Sequence, residues 1–300
     1  MKKWLGVGML LLTAIIWGFA FVAQSVGMDY VGPFTFNFSR YLIGSAVLLP
    51  FVIINVKKRK TVTKENRKIT ILGGIGCGII LFVASALQQF GVKYTSAVGK
   101  AGFLTALYII LVPVIGFFFG KKSKAIIWIS VGLATVGLYL LCVKEGFRFE
   151  TADLILLACA LGFSFHIIFI DYISPKTDGV IISCIQFAVS GIICLVASLL
   201  FEKISLTDIV KGWMPILYAG VMSCGVAYTF QILGQKYVEP TRASLIMCLE
   251  SVFSALGGML ILHEMMSLKE IIGCVVVFAG IIVAQFADAS SSPKKTKTNE

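Results

Sequence analysis

Two charged side chains, Arg40 and Glu250, lie inside long apolar segments of this chain. At about 1.5 Å per helical residue, Glu250 lies roughly 15 Å beyond Pro240, and Arg40 lies roughly 10 Å beyond Pro33. Charged groups at such depth are costly and commonly mark the path of a substrate or a proton. We therefore expect Glu250 to bind a substrate ammonium group or to carry a coupling proton, and Arg40 to bind a substrate carboxylate. The alternative for both is a structural hydrogen bond to a neighbouring helix.

Five uncharged polar or aromatic residues fall at intermediate depth in other apolar segments. Trp17 and Tyr108 could stack on a bound molecule, and His166 could relay a proton. Each could equally well serve only in packing or in a hydrogen bond between helices. The residues predicted to line a substrate cavity are Trp17, Arg40, Tyr108, His166, Gln186, Glu250 and Ser251.

Catalytic and metal-binding patterns are absent from the sequence. The eight cysteines form no C-x-x-C pair and lie within or beside apolar segments, which is typical of small buried side chains. The sequence has no H-E-x-x-H motif, no P-loop and no nucleophile elbow. We therefore predict no enzyme activity, no catalytic residue, no cofactor and no metal site.

The elements that must position these residues are long apolar helices. Hydrophobic residues make up 58% of the 300 residues and charged residues only 14%, against about a quarter in soluble proteins. A helix needs about 20 residues to cross a hydrocarbon core, and the apolar blocks lack the alternation of barrel strands. We predict an all-α integral membrane fold with ten transmembrane helices. The ten blocks are Trp4–Met28, Gly32–Val56, Ile69–Val92, Ala101–Gly120, Ala125–Val143, Leu154–Ile170, Gly179–Phe201, Gly212–Gln235, Thr241–Leu262 and Ile271–Ala287.

The net charge of +11 is explained by membrane topology, and it requires no nucleic-acid partner. If the amino terminus is cytoplasmic, 18 of the 26 Lys and Arg residues fall in cytoplasmic segments and 7 in segments on the other side. Basic residues favour the cytoplasmic side of a membrane. We therefore predict a multi-pass protein in the lipid bilayer of the cell membrane, with both termini in the cytoplasm.

Residues 83–94 and 226–237 share the pattern Q-x-x-G-x-K-Y, 143 positions apart. A duplicated half with five helices gives two copies of opposite orientation, so we predict two inverted five-helix repeats. The predicted boundaries are 1–143 for the first repeat, 144–151 for a linker, 152–287 for the second repeat and 288–300 for a disordered cytoplasmic tail.

The two copies of this motif should lie near opposite membrane faces if the repeats are inverted. Gln88 would lie near the outer face and Gln231 near the inner face, which makes them poor candidates for one central pocket. They could be gates that close in alternation, or helix-end anchors, because Lys and Tyr favour the membrane interface. The predicted gate or anchor residues are Gln88, Lys93, Tyr94, Gln231, Lys236 and Tyr237.

Several further motifs occur in a specific order and spacing. They are Trp17-Gly-Phe-Ala-Phe21, Pro33, Arg40, Ala97–Tyr108, Pro113, Glu239-Pro240, Glu250, His263-Glu264, Gly273 and Gly280. With these motifs the chain resembles, over nearly its whole length, the EamA-type transporters of the drug/metabolite transporter superfamily. The resemblance implies a ten-helix inverted-repeat exporter or permease for small metabolites, with a central cavity and alternating access. The chain departs from the family pattern at Gly120-Lys121, where Gly-Glu is common, and at Leu161-Gly162, where Trp-Gly is common.

These observations together predict a secondary transporter that exports small amphipathic metabolites such as amino acids. The sequence has no ATP-binding motif, so a substrate or ion gradient would supply the energy. The alternatives are an uptake permease for a metabolite or sugar derivative, a non-transporting scaffold, and a membrane enzyme. An enzyme would need polar groups clustered near one interface, whereas those of this chain are scattered singly. The predicted oligomeric state is a monomer or a homodimer.

Overall fold

The computed structural model describes residues 2–58, 64–95, 98–121, 123–143, 150–261 and 265–286. These residues are almost entirely helical and contain no strand. The α-helices are α1 (Lys2–Gly27), α2 (Pro33–Lys58), α3 (Lys64–Tyr94), α4 (Val98–Ala106), α5 (Tyr108–Phe118), α6 (Ala125–Cys142), α7 (Thr151–Ile173), α8 (Gly179–Phe201), α9 (Leu206–Lys211), α10 (Trp213–Tyr218), α11 (Thr229–Gly234), α12 (Pro240–Met247), α13 (Glu250–Ile261) and α14 (Leu268–Phe286). A 3₁₀ turn at Ser174–Lys176 follows α7, and a π-helical segment at Ala219–Tyr228 joins α10 to α11.

Nine stretches of the described residues are long and apolar enough to cross a membrane, as in a multi-pass membrane protein. They are Lys2–Gly27, Pro33–Lys57, Asn66–Tyr94, Ala101–Phe118, Ala125–Cys142, Thr151–Lys176, Gly179–Phe201, Trp213–Gly234 and Pro240–Ile261. The tenth predicted block lies on α14, which is helical but is not among these nine. The count of ten transmembrane helices therefore stays a prediction.

Of the predicted linker between the repeats, the structure describes only residues 150 and 151. Residues 144–149 of the predicted linker and the predicted tail at 288–300 lie outside the described residues. At the start of α7, the N–H of Glu150 donates to Asp153 Oδ2 at 2.7 Å. This contact is half of a capping box that fixes where α7 begins.

The loops that connect the helices lie at two opposite ends of the helical bundle. At one end, termed the Lys93 end, the loop 28–32, the end of α3 and the segment 203–208 surround a cavity of about 190 Å³. At the opposite end, termed the Lys236 end, Lys236 Nζ donates to the Thr177 carbonyl oxygen at 2.7 Å, and Lys121 pairs with Asp171.

A carboxylate from the second half caps a helix of the first half at the Lys93 end. Glu202, which follows α8, accepts hydrogen bonds from the N–H groups of Phe34 and Thr35 at 2.8 Å each. The first amides of a helix lack partners within the helix and attract negative charge. Glu202 therefore stabilises the start of α2 and joins it to the end of α8.

Elements of the two sequence halves interleave in the interior. α2 packs along α8, α3 packs against α7 and α8, and α1 packs against α12, α13 and the π-helical segment. Hydroxyl groups reinforce these contacts: Ser190 Oγ donates to the Gly78 carbonyl at 2.7 Å, and Thr13 Oγ1 to the Ala227 carbonyl at 2.9 Å. Side chains from both halves therefore converge on the same central space.

α6 and α14 cross at a direct contact between glycine backbones. A Cβ atom on Gly137 would lie 2.6 Å from the Val277 backbone nitrogen, and one on Gly273 would lie 2.6 Å from the Leu141 backbone nitrogen. These distances are shorter than van der Waals contact, so only glycine permits the two helices to approach this closely.

Replacing Gly137 with Ala should destabilise the protein by about 1–3 kcal/mol, because the added methyl group overpacks the helix crossing. Gly132 lies on the same helix with no heavy atom within 4 Å of its Cβ position, so Gly132→Ala is the matched control. The control should be neutral or slightly stabilising, since alanine favours a helix over glycine by about 1 kcal/mol. Thermal unfolding in detergent measures both effects. Equal melting temperatures for the two variants would contradict the crossing.

Candidate functional site

Two membrane spans are interrupted near their middle by a turn. Leu107 separates α4 from α5, and its N–H donates to the Leu104 carbonyl at 3.3 Å, three residues back instead of four. Cys248 and Leu249 separate α12 from α13, and the Leu249 N–H donates to the Ile246 carbonyl at 3.2 Å. Irregular backbone at membrane depth is tolerated where it is buried in protein or lines a cavity.

The two interruptions occupy nearly equivalent positions in the duplicated sequence. At the offset of 143 residues that separates the two copies of the repeated motif, Leu107 corresponds to Glu250, which directly follows the turn at Cys248–Leu249. Sequence reasoning missed both turns, because each falls in an apolar run with neither Gly nor Pro at the turn itself. The signal that was available is the depth of Glu250, which marks the position of the second turn.

The residues that restart the two helices touch each other. Tyr108, the first residue of α5, donates its hydroxyl hydrogen to Glu250 Oε1, the oxygens being 3.0 Å apart. Only 3% of Tyr108 and 5% of Glu250 is exposed. A hydrogen bond is worth about 0.5–1.5 kcal/mol between neutral groups and about 1.5–3 kcal/mol when one group is charged. This contact joins the two helix breaks across the halves.

A cavity lies at the helix breaks and is lined by both charged residues that the sequence singles out. The space open to the centre of a water molecule is about 30 Å³, which is room for roughly two waters. The cavity is therefore narrow in this conformation. Its lining residues are Trp17, Phe21, Gln24, Arg40, Gln88, Thr105, Tyr108, Phe163, Ile167, Ser223, Tyr228, Gln231 and Glu250.

Arg40 presents a buried positive charge to this cavity, with only 2% of the residue exposed. One guanidinium nitrogen donates to the Tyr41 hydroxyl at 3.2 Å, and the group lies 4.9 Å from the Tyr41 ring centroid and 5.6 Å from that of Phe36. Among the described residues Arg40 Nε has no hydrogen-bond partner, and no ion pair joins Arg40 to Glu250. A basic and an acidic side chain therefore face one cavity without forming an ion pair.

Trp17 forms an aromatic wall of the cavity together with Tyr228. The two ring centroids are 4.7 Å apart in an edge-on arrangement. Within the described part of the chain, the indole N–H of Trp17 is buried and has no acceptor. The wall thus combines apolar surface with one free hydrogen-bond donor.

Three residues predicted to line the cavity do not line it. His166 and Gln186 are fully buried between α7 and α8, where His166 Nε2 and Gln186 Oε1 lie 3.1 Å apart. Each side chain turns toward the other, which removes both from the cavity wall. Ser251 follows Glu250 on α13 and points to a different side of the helix, because successive helical residues are about 100° apart.

Gln88 and Gln231 both line the cavity, and the expectation that they would not share one central pocket is wrong. Each glutamine precedes the tyrosine of its motif by six residues. If the tyrosine marks the membrane face, the glutamine lies about 9 Å inside it. In a core of about 30 Å, two such positions leave about 12 Å between them. The expectation considered only how deep each residue lies along its helix, which keeps the two Cα atoms apart. The side chains of both residues nevertheless reach the interior.

The remaining residues of the two motifs stay at the ends of the bundle. Lys93 is exposed, with its ammonium group 5.7 Å from the Tyr94 ring centroid, and it lines the 190 Å³ cavity. Its counterpart Lys236 donates to the Thr177 carbonyl at the opposite end. Tyr94 and Tyr237 are both exposed. The equivalent lysines thus make different contacts, and the structure is not symmetric.

Sequence reasoning missed several lining residues for which a helical pattern was available. Phe21 and Gln24 follow Trp17 by four and seven residues, so the three share one face of α1. Tyr228 precedes Gln231 by three residues and shares a face with it. A search of the positions three, four and seven residues away from each polar or aromatic residue on the same helix would have found these residues.

The fold and this cavity define a multi-pass helical membrane protein with a polar interior between two interleaved halves. The family described as EamA-like transporters matches this chain twice, over residues 4–143 and 150–286. The chain therefore belongs to the EamA-like transporter family.

Full-length relatives agree with this assignment. An uncharacterized transporter from Archaeoglobus fulgidus is 29% identical over 91% of this chain and 83% of its own length. One from Clostridium kluyveri is 27% identical over 100% and 98%, and the Bacillus subtilis transporter YoaV, also uncharacterized, is 25% identical over 91% and 94%. A solved crystal structure with 18% identity covers 94% of this chain at a TM-score of 0.76, which shows a shared fold.

The Tyr108–Glu250 contact should appear as an energetic coupling between the two residues. In a double-mutant cycle of Tyr108→Phe and Glu250→Ala, we expect a coupling energy of about 1–3 kcal/mol in thermal or denaturant unfolding. Tyr172→Phe is the control, because Tyr172 is exposed and lies outside the cavity, and it should not couple to Glu250→Ala. A coupling energy near zero for Tyr108 would show that this hydrogen bond is absent in solution.

Proposed function

We propose that this chain is a secondary transporter that exports small amphipathic metabolites, such as amino acids, across the cell membrane by alternating access. Membership in a transporter family supports transport of small molecules. The finer proposal rests on one observation: Arg40 and Glu250 line a single buried cavity without forming an ion pair.

The two charges fit a substrate that carries both signs. A carboxylate is the group that a guanidinium binds best, and an ammonium group can pair with Glu250. Burying a charge in a membrane protein without a partner is costly, so a ligand that supplies the missing partner gains affinity. Phe21, Phe163 and Tyr228 add apolar surface to the wall. A small zwitterion with an apolar side chain satisfies both kinds of surface.

The arrangement around the helix breaks supports the proposal of alternating access. Interrupted helices at corresponding positions of two halves are typical of the substrate sites of transporters. In inverted repeats, rocking one half against the other would expose the cavity first at one end and then at the other. The residues at the ends of the two motifs, Lys93 with Tyr94 and Lys236 with Tyr237, lie where gates or interfacial anchors would act.

We further propose that the protein works as a monomer or homodimer. Both termini would lie in the cytoplasm, as the distribution of basic residues predicts. The Lys236 end would then face the cytoplasm and the Lys93 end the outside. A substrate or ion gradient would drive export. If the ion is a proton, Glu250 is the residue proposed to carry it.

Substitution of Arg40 should abolish most of the transport. Proteoliposomes loaded with an equimolar mixture of the twenty protein amino acids should release at least one of them through the wild-type protein. Arg40→Gln should lower that rate about tenfold or more, because the variant loses a charge-assisted contact to the substrate carboxylate. Arg67→Gln is the control, since Arg67 is exposed at the start of α3. Release at the wild-type rate by Arg40→Gln would remove the proposed contact. Uptake of amino acids into empty proteoliposomes without release from loaded ones would favour a permease instead.

Substitution of Glu250 should separate its two proposed roles. If Glu250 carries the coupling proton, acidifying the outside of loaded proteoliposomes should speed release by the wild type, because protons then enter as the substrate leaves. Glu250→Gln should still exchange amino acids across the membrane but should lose this response to pH. Loss of exchange in Glu250→Gln assigns Glu250 to the substrate ammonium group instead. The exposed Glu239→Gln control should respond like the wild type, and an unchanged pH response in Glu250→Gln would contradict coupling.

A further inference from the structure

Gln88 and Gln231 are the same residue of the repeated motif, and both face the central cavity. Only 7% of Gln88 and 1% of Gln231 is exposed. Neither side-chain amide makes a hydrogen bond with any described residue, and Gln231 Oε1 is shielded from solvent as well. An amide that loses its water contacts on folding needs a replacement partner.

Neighbouring glutamines on the same spans show what structural glutamines do in this protein. Gln89 Nε2 donates to the Gln24 carbonyl at 3.4 Å, and Gln235 Nε2 donates to the Ile167 carbonyl at 2.9 Å. Each therefore ties its own helix to a helix from elsewhere in the chain. Gln88 precedes Gln89 by one residue, and Gln231 lies one turn before Gln235, yet these two leave their amides free for the cavity.

From this contrast we propose that Gln88 and Gln231 are substrate contacts that exchange roles between the two access states. The inference rests on the proposed transport function and deepens it. An amide offers both donors and an acceptor without adding charge. It can therefore bind either pole of a small zwitterion beside Arg40 and Glu250.

The asymmetry of the structure indicates which glutamine acts in which state. Lys236 is bonded to Thr177 at one end, whereas Lys93 is exposed and lines a cavity at the other, so in this proposal the Lys236 end is the closed side. Gln231, on the closed side, holds a substrate that arrives from the Lys93 end. After the halves rock, Gln88 lies on the closed side and holds a substrate that arrives from the Lys236 end.

Side-specific transport tests this exchange of roles. Right-side-out and inverted membrane vesicles are given an equimolar mixture of the twenty protein amino acids, labelled with ¹³C, over a range of total concentrations. The variants are Gln88→Met and Gln231→Met, which keep the length of the side chain and remove its hydrogen bonds. Gln231→Met should raise the half-saturating concentration about tenfold from the Lys93 side and less than about twofold from the other, as expected for one lost polar contact. Gln88→Met should show the reverse.

Gln89→Met and Gln235→Met are the matched controls. They should lower the melting temperature without favouring one side, because they remove bonds between helices. If Gln88→Met or Gln231→Met fails to fold, the corresponding Asn variant, which withdraws the amide from the cavity, is measured instead. Equal effects of Gln88→Met and Gln231→Met from both sides, or no effect, overturn the exchange of roles while transport by the wild type stands. A wild type that moves none of the twenty amino acids from either side overturns both the proposed function and this assignment.

Discussion

A peptide group that leaves the helix inside a membrane must find its hydrogen-bond partner within the protein, because the lipid offers none. This constraint fixes where the two spans of this chain can be interrupted. Leu107 and the pair Cys248–Leu249 lie in the interior, where tightened turns and packed neighbours satisfy the backbone. The helices that restart there begin with Tyr108 and Glu250. The cavity, the buried carboxylate and the contact between the halves all follow from the position of these two turns.

The same constraint governs the charges. In an apolar chain, Arg40 and Glu250 are tolerable only where other polar or aromatic groups surround them. Arg40 lies against two aromatic rings and one hydroxyl group, and Glu250 accepts one hydrogen bond. Neither arrangement uses all the hydrogen-bonding capacity of the charged group. Their incomplete pairing fits the proposed function, in which a bound substrate supplies the missing partners.

Sequence reasoning recovered the parts of this structure that depend on composition along the chain. Apolar blocks gave the membrane spans, and isolated charges gave Arg40 and Glu250 as cavity residues. The turns at Leu107 and Leu249 were missed, because tertiary packing imposes them on sequences that would otherwise continue as helix and only the depth of Glu250 hinted at the second turn. Gln88 and His166 were misplaced for a related reason. Depth along a helix axis does not say which way a side chain points, and His166 found a closer partner in Gln186.

The proposed alternating access requires equivalent residues in different surroundings. In the proposed cycle, a contact of Lys93 at one end replaces the Lys236–Thr177 contact that is lost at the other, so the two states remain close in free energy. A small difference is necessary, because a ligand shifts a population only by as much as it binds one state better than the other. Among the described residues, no carboxylate of the first half caps α8 in the way that Glu202 caps α2, and α8 is capped by its own Asp178. In the proposed cycle, the Glu202 contact is suited to hold α2 and α8 together while other surfaces move.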